Sequence, residues 1–301
     1  ASSMFNNVRL FMLTTKLFSI AKSICLSLKF YFWLYSRLCY NVRIEKRFFI
    51  TKDNILDDEI VLRDDEHNHL SRVLRLAVGD SAECFEDGGD ILECKIESIT
   101  KSQTTLKILS SRPCTANPKC NLTLFQGLTK GEKLEWIIQK TSELGVQEIR
   151  TFTSNFTIAK PNDNKVERSR KIAIASAKQC GRTSVIKIYP TITFKQMLQQ
   201  LKDYDIVIFA NETEDSKNIR EVFTEEYKNV AIIVGAEGGF SREEIDSIIN
   251  NGGVSVSLGN RILRAETAAI AMSSVVLYEL GELDKWKYAA STLAARSIST
   301  K

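Results

Sequence analysis

Two segments carry the residue types most able to do chemistry. The first is IIVGAEGGFSREE (232–244), in which Gly235, Glu237, Gly238 and Gly239 follow a run of branched apolar residues. Glycines at this density let the backbone approach a ligand closely, and amides ahead of a capped helix can hold a polar or anionic group. An ordinary strand-to-helix turn needs only one or two glycines, and that plainer reading stays open for this segment taken alone. The second is SLGNRILRAETAA (257–269). Leu258-Gly259 ends a strand, the loop carries Arg261, Ile262, Leu263 and Arg264, and Glu266 and Thr267 open a helix built mostly from Ala, Ile, Met and Val. A helix that is apolar nearly all round must be buried, so its polar first turn faces something specific. Glu266 could merely favour the helix dipole, an effect of ~0.3–1 kcal/mol, but that does not account for two arginines beside a glycine loop. Neither segment has the glycine spacing of a P-loop or a dinucleotide fold, and no Lys-Ser/Thr stands ready for phosphate and Mg²⁺, which weakens a nucleotide-phosphate-binding ATPase.

Both segments must be positioned by strands. LTLFQGL (122–128), VQEIRTFT (146–153), DIVIFAN (205–211), VAIIVGAE (230–237) and VSVSLG (254–259) alternate with helical stretches. Runs such as AIIV are apolar on both faces, as strands covered by helices on both sides require. The pattern predicts an α/β sheet of about five strands, mostly parallel, with both segments at strand C-terminal ends, where open sheets place their ligands. Thr129-x-x-Glu132 and Ser241-x-x-Glu244 read as capping boxes, Gly145 closes the helix that carries Leu134, Ile137 and Ile138, and a final helix covers about 265–280. Ahead of this lies a different texture. Short alternating runs at 47–50, 59–62, 81–86, 91–99 and 105–109, with one helix near 65–76, predict a small β-barrel or sandwich. The turn Asp87-Gly88-Gly89-Asp90 marks a hairpin, and Arg112-Pro113 through Asn117-Pro118 form the linker.

The 301 residues carry 41 Lys+Arg against 37 Asp+Glu, a net charge of +4, and are 44% hydrophobic, which excludes disordered or low-complexity classes. Six of the basic residues (Arg9, Lys16, Lys22, Lys29, Arg37 and Arg43) lie in the first 44 positions, which hold no acid. The remainder is nearly neutral, so nucleic acid would have to be held by a local basic face. Positions 11–40 are apolar and aromatic but interrupted by four basic residues. A membrane span needs about 20 nearly uncharged residues, with each central Lys or Arg costing ~2.5–3.5 kcal/mol, so no stable insertion is expected. The stretch reads as an organelle-targeting presequence, an amphipathic surface anchor or an upstream extension that is translated poorly or not at all. Seven cysteines without a C-x-x-C pair, and only His67 and His69, predict neither a disulfide framework nor a metal site.

GAEGGFSREEI, SLGNRILRAETAA, KGEKLEWIIQKTSELGVQEI, ASAKQCGR and HLSRVLRLAVGD, taken together over about 45–283 and following the family's order along the chain, resemble the RsmE family of small-subunit ribosomal RNA uridine-N3 methyltransferases, part of the SPOUT superfamily. The resemblance implies a fold that periodicity does not: a PUA-like β-barrel over 45–117 and a SPOUT-type α/β domain over 118–283 with a C-terminal trefoil knot, flanked by the extension 1–44 and a tail 284–301. It implies S-adenosyl-L-methionine as cofactor, held by Gly235, Glu237, Gly238, Gly239, Leu258, Gly259, Ile262, Leu263, Arg264 and Thr267, with 210–212 as a third loop. Arg264 or Arg261 would stabilise charge on the uracil oxygens, and Glu266, or else Glu237, would take the N3 proton. Ribosomal RNA of the small subunit is the implied partner. Arg47, Arg63, Arg72, Arg75, Lys130, Lys133 and Arg182 are its candidate contacts, some of them ordinary surface charge. A homodimer is implied, in the bacterial cytoplasm, or in an organellar matrix if the extension is a presequence.

Two departures temper the match. The family has Gly-Pro-Glu-Gly-Gly where this chain has Ala236, which loosens the loop without removing a hydrogen-bonding group. In TFTSNFTIAK (151–160) Thr151 stands for the family's proline and Asn155-Phe156 for its Glu-Arg pair. A different RNA target, weakened activity, or a non-catalytic RNA-binding or ribosome-assembly role on the same fold are the alternatives this leaves.

Overall fold

The structure, a computed structural model, describes residues 46–161, 164–214, 219–224 and 226–283, so the expected extension (1–44) and tail (284–301) lie outside the described residues. Two six-stranded sheets organise them.

The first sheet is built from β1 (Arg47–Phe49), β2 (Ile55–Leu56), β3 (Glu59–Arg63), β4 (Ser81–Phe85), β5 (Ile91–Ile99) and β6 (Gln103–Arg112), in the order β1-β4-β5-β6-β3-β2. Only β1 and β4 run parallel; the other pairs are antiparallel. The Asp87–Asp90 turn joins β4 to β5 with Phe85 opposite Ile91, and Gly88 takes the left-handed φ of +72° that such a turn demands. Alternate residues point to one core of Phe48, Ile60, Leu62, Cys84, Cys94, Ile96 and Leu106, closed by Leu70. Leu70 comes from a π-turn over His69–Val73 that continues α1 (Asp64–Asn68). The helix stops short of position 76 because Arg75 is left-handed, at φ +52°.

The second sheet contains β7 (Asn121–Gly127), β8 (Glu148–Thr153), β9 (Lys187–Thr193), β10 (Ile206–Ala210), β11 (Asn229–Val234) and β12 (Gly253–Val256), all parallel, in the order β12-β10-β11-β7-β8-β9. Period-two alternation sorts its side chains. Leu122, Leu124, Ile208, Val230, Ile232 and Val234 face α2 (Lys133–Leu144), α3 (Asn164–Cys180), the short α5 (Ile219–Val222) and α7 (Ala265–Glu279). Phe125, Val207, Phe209, Ala231 and Ile233 face α4 (Phe194–Gln200) and α6 (Arg242–Asn250). Both faces are covered, as the unbroken apolar runs predicted. The sixth strand, β9, escapes a pattern reading: it is half-exposed, sits at the edge and contains Pro190, near which its pairing with β8 shifts register.

Two helix starts differ in kind. Ser241 Oγ accepts from the Glu244 amide at 3.3 Å while Glu244 Oε2 accepts from the Ser241 amide at 3.0 Å, the reciprocal cap expected. The box expected at Thr129 does not form. Gly131 is left-handed (φ +66°), which a helix cannot contain, so α2 starts at Lys133 with Glu132 ahead of it. Gly145, at φ +117°, ends α2 as expected. Among the described residues no helix is long and apolar enough to cross a membrane.

Candidate active site

Because β12, β10 and β11 are neighbours and parallel, the loops leaving their C-terminal ends emerge side by side. Residues 210–213, 234–240 and 258–265 enclose a cavity of about 380 Å³, joined by Lys133 from α2 and Ala268 from α7. That volume falls in the ~300–1,000 Å³ range of small-molecule clefts. Val234, Leu258, Ile262, Leu263 and Ala268 offer apolar surface suited to a ring system, and Glu212, Glu237, Lys133, Arg261 and Arg264 offer charge.

Backbone placement explains the glycines. A Cβ on Gly235 would lie 3.2 Å from Gly239 Cα and 3.3 Å from the Phe240 ring, and one on Gly238 would lie 2.6 Å from Phe156 Cβ. Ala236, where the family has proline, is buried, and its carbonyl accepts from the Gly239 amide at 3.0 Å, so the loop closes on its own hydrogen bond. Gly127, at the end of β7, had no functional reading in the sequence. A Cβ there would run into the Gly235–Ala236 peptide, whose Gly235 carbonyl carbon would be 2.6 Å away. The neighbouring Gln126, fully buried, donates from Nε2 to the carbonyls of Gly127 (3.0 Å) and Gly235 (3.2 Å), fastening the glycine loop to the central strand.

Charge at the cavity edge centres on Lys133. Its Nζ lies 2.8 Å from Glu237 Oε1 and 4.0 Å from Glu266 Oε2, and the Lys130 amide donates to the same Glu237 oxygen at 3.1 Å. Partial burial alone would raise the Glu237 carboxyl, but the bonds from Lys133 and the Lys130 amide outweigh it and hold the group below its ordinary range. Glu237 is thus an ionised, engaged carboxylate. Glu266 is different: its Oε2 is buried and accepts no hydrogen bond.

Of the expected cofactor contacts, Gly235, Glu237, Gly239, Leu258, Gly259, Ile262, Leu263 and Arg264 line the cavity, as do Ala210, Asn211 and Glu212 of the third loop. Gly238 packs on Phe156 instead, and Thr267 is exposed and outside the lining. Glu266 meets the site through Lys133.

The expected RNA contacts divide. Arg63, Arg72, Arg75 and Lys130 are exposed. Lys133 belongs to the cavity. Arg47 and Arg182 must be corrected, since neither reaches the surface. Arg47 is 3% exposed, paired with Glu83 (Nε to Oε2 3.2 Å) and stacked over Phe85, with Nη1 3.4 Å from the Lys178 carbonyl. Arg182 is 1% exposed and donates from Nη1 to the carbonyls of Ser142 (3.0 Å) and Val146 (2.9 Å), where α2 ends. Sequence spacing cannot reveal this, because the carbonyls they satisfy come from distant positions. His67 is likewise internal, its Nδ1 2.8 Å from Thr104 Oγ1.

Three strand-end loops thus share one cleft of small-molecule size on a parallel sheet, in a chain whose first, mostly antiparallel sheet is accompanied by exposed arginines. Residues 115–277 match the RNA methyltransferase domain and 62–109 the RNA methyltransferase PUA domain. A Bacillus subtilis protein, ribosomal RNA small subunit methyltransferase E, is 29% identical over 247 residues, 78% of this chain and 96% of that protein. Its namesake from Buchnera aphidicola of Acyrthosiphon pisum is 31% identical over 246 residues, 78% and 94% of the two chains. A Legionella pneumophila methyltransferase solved with the cofactor SAM superposes with a TM-score of 0.72 at 28% identity, over 78% of this chain and 97% of the other. The chain belongs to the RsmE family of RNA methyltransferases.

Proposed function

We propose that this protein transfers a methyl group from S-adenosylmethionine to N3 of a uridine in small-subunit ribosomal RNA. The observation that carries the reading is the meeting of the three loops at one cavity bearing Arg264 and the Lys133–Glu237–Glu266 cluster. The residues present suit the donor: glycine backbone at close range, apolar Leu258, Ile262 and Leu263 for an adenine ring, and Glu212 for ribose hydroxyls. The donor supplies a methyl group on a sulfonium, which leaves as a neutral thioether.

The chain's own groups handle the acceptor. Uridine N3 carries a proton, and its lone pair becomes nucleophilic only as that proton departs. Glu266, which accepts no hydrogen bond at Oε2 and lies at 4.0 Å from Lys133, is the better acceptor for it, because Glu237 is held by Lys133 at 2.8 Å and by the Lys130 amide. Arg264 and Arg261 line the cavity and would offset charge developing on the uracil oxygens. Exposed Arg72, Arg75 and Lys130 offer contacts to RNA phosphates, and the PUA-like sheet of 45–117 would present two of them. The uracil must leave any stack to be reached. The same reading extends to a trefoil knot within 118–283, a homodimer and a cytoplasmic place of work.

Purified protein, labelled donor and unmodified small-subunit ribosomal RNA test the proposal, with nucleoside mass spectrometry to locate the methyl group. Turnover at uridine N3 is expected, and Arg264→Ala should abolish it while donor affinity changes less. RNA binding without turnover would favour the assembly-protein alternative, and equal loss of both properties in Arg264→Ala would assign that arginine to cofactor binding.

A further inference from the structure

We propose that Phe156 is a stacking platform for an unpaired nucleobase of the RNA substrate, set beside the methyl-donor cavity. The inference rests on the reading of the chain as an RNA methyltransferase, and it concerns a position where the sequence departs from its family.

Beyond β8 the chain closes a tight turn. Thr157 Oγ1 accepts from the Ser154 amide at 2.8 Å, and the Thr157 amide donates to the Ser154 carbonyl at 3.0 Å. Asn155 anchors that turn to the start of α6: its amide donates to Glu244 Oε1 at 2.8 Å and its Nδ2 to Ser241 Oγ at 3.2 Å. Glu244 is itself buried and engaged in the helix cap, so the anchor is stiff. Phe156 then lies against Gly238, so close that any side chain at 238 would collide with its Cβ. The residues on either side of Gly238, Glu237 and Gly239, both line the cavity. The turn is therefore fixed against the glycine loop, next to residues that line the cavity.

In that fixed frame the Phe156 side chain is left 48% exposed. An aromatic ring exposed to water on a fixed backbone is an open stacking face, so a base placed on it need not order the turn that carries it. Its surroundings favour nucleic acid over a protein partner. The exposed Lys130 donates its amide to Glu237 next to Gly238, and exposed Lys160 follows on the same segment. Aromatic faces beside a lysine-bearing rim are how single strands are held without base-specific hydrogen bonds. The reaction itself requires a base drawn out of its stack.

The test uses the full chain and short single-stranded oligouridine. Phe156→Leu keeps Cβ and Cγ against Gly238 but removes the ring, and should raise the oligouridine Kd by about 5- to 150-fold. Donor affinity by calorimetry should stay within about twofold, since Phe156 does not line the cavity. Phe156→Trp should bind like wild type, and its added indole should be quenched by oligouridine beyond the quench seen in wild type. An unchanged Kd in Phe156→Leu, or a Phe156→Trp indole that RNA does not quench, overturns the proposal. So does equal weakening of donor and RNA in both variants, which would make the ring loop packing only. A wild-type protein that binds donor but neither binds nor methylates any RNA would instead refute the functional reading beneath it.

Discussion

Gly127→Ala adds one methyl group at a point outside the cavity lining, yet the structure predicts a loss of cofactor affinity. The new Cβ would stand 2.6 Å from the Gly235 carbonyl carbon, 3.0 Å from Ala236 Cα and closer still to the Ala236 nitrogen, where ordinary contact begins at 3.4 Å. All three atoms are backbone, so no rotamer change relieves the overlap. The 235–236 peptide must move by roughly 1 Å, or β7 must yield, and β7 is held between β8 and β11 with its Leu128 amide bonded to the Phe152 carbonyl. Overpacking of this kind costs ~1–3 kcal/mol. If the glycine loop absorbs it, donor affinity falls about 5- to 150-fold; if the strand does, Tm falls about 2–4 °C per kcal/mol for a chain of this size. Calorimetric titration with S-adenosylmethionine and a thermal melt on the same preparation measure the two shares. A variant with donor affinity within twofold of wild type and an unchanged Tm would falsify the idea that Gly127 exists to let the cofactor loop cross the strand.

Other outcomes follow from single contacts. Glu244→Ala removes the acceptor for both the Ser241 and Asn155 amides and should cost about 2–4 kcal/mol, read in urea unfolding, with Glu244→Gln less affected. Arg182→Ala strips the carbonyls of Ser142 and Val146 of their donor and should destabilise the fold by roughly 2–4 kcal/mol. Arg72→Ala should instead leave the melt unchanged and lower the salt slope of RNA binding by about one unit. Lys133→Met frees Glu237, whose carboxyl should then titrate at higher pH in a ¹³C NMR titration. In wild type that carboxyl lies below its ordinary range, so what its ionised form contributes is complete above the ordinary carboxylate pKa of about 4.3 and fades only on further acidification. In Lys133→Met that contribution should shrink, and what is left of it should be gone at a higher pH than in wild type.

Much of this molecule could be read locally. The runs at 122–128 and 230–237 alternate two faces that both need cover, so a parallel sheet under two helical layers followed from composition and period. The Ser241–Glu244 cap and the Gly145 stop are contacts within a few residues, and they stand where the spacing put them. Local reading failed where a non-local demand overrode it. Thr129 and Glu132 have the spacing of a cap, yet the segment turns at Gly131 and presents the Lys130 amide to Glu237, more than a hundred positions away. Arg47 and Arg182 look like surface charge until carbonyls from other elements take up their protons.

The residue types of the two glycine and arginine segments, and their places at strand ends, were determined by the amino-acid order alone, because strand, turn and cap signals act over neighbouring positions. Sheet order decided the rest. Setting β10 between β11 and β12 brought 210–213, 234–240 and 258–265 around one cleft, and laying α2 beside it moved Lys133 from an expected phosphate contact to the partner of two carboxylates. The same packing set Gly127 and Phe156 against the glycine loop, since the need for a missing Cβ arises only when a second stretch of chain comes within a few ångströms.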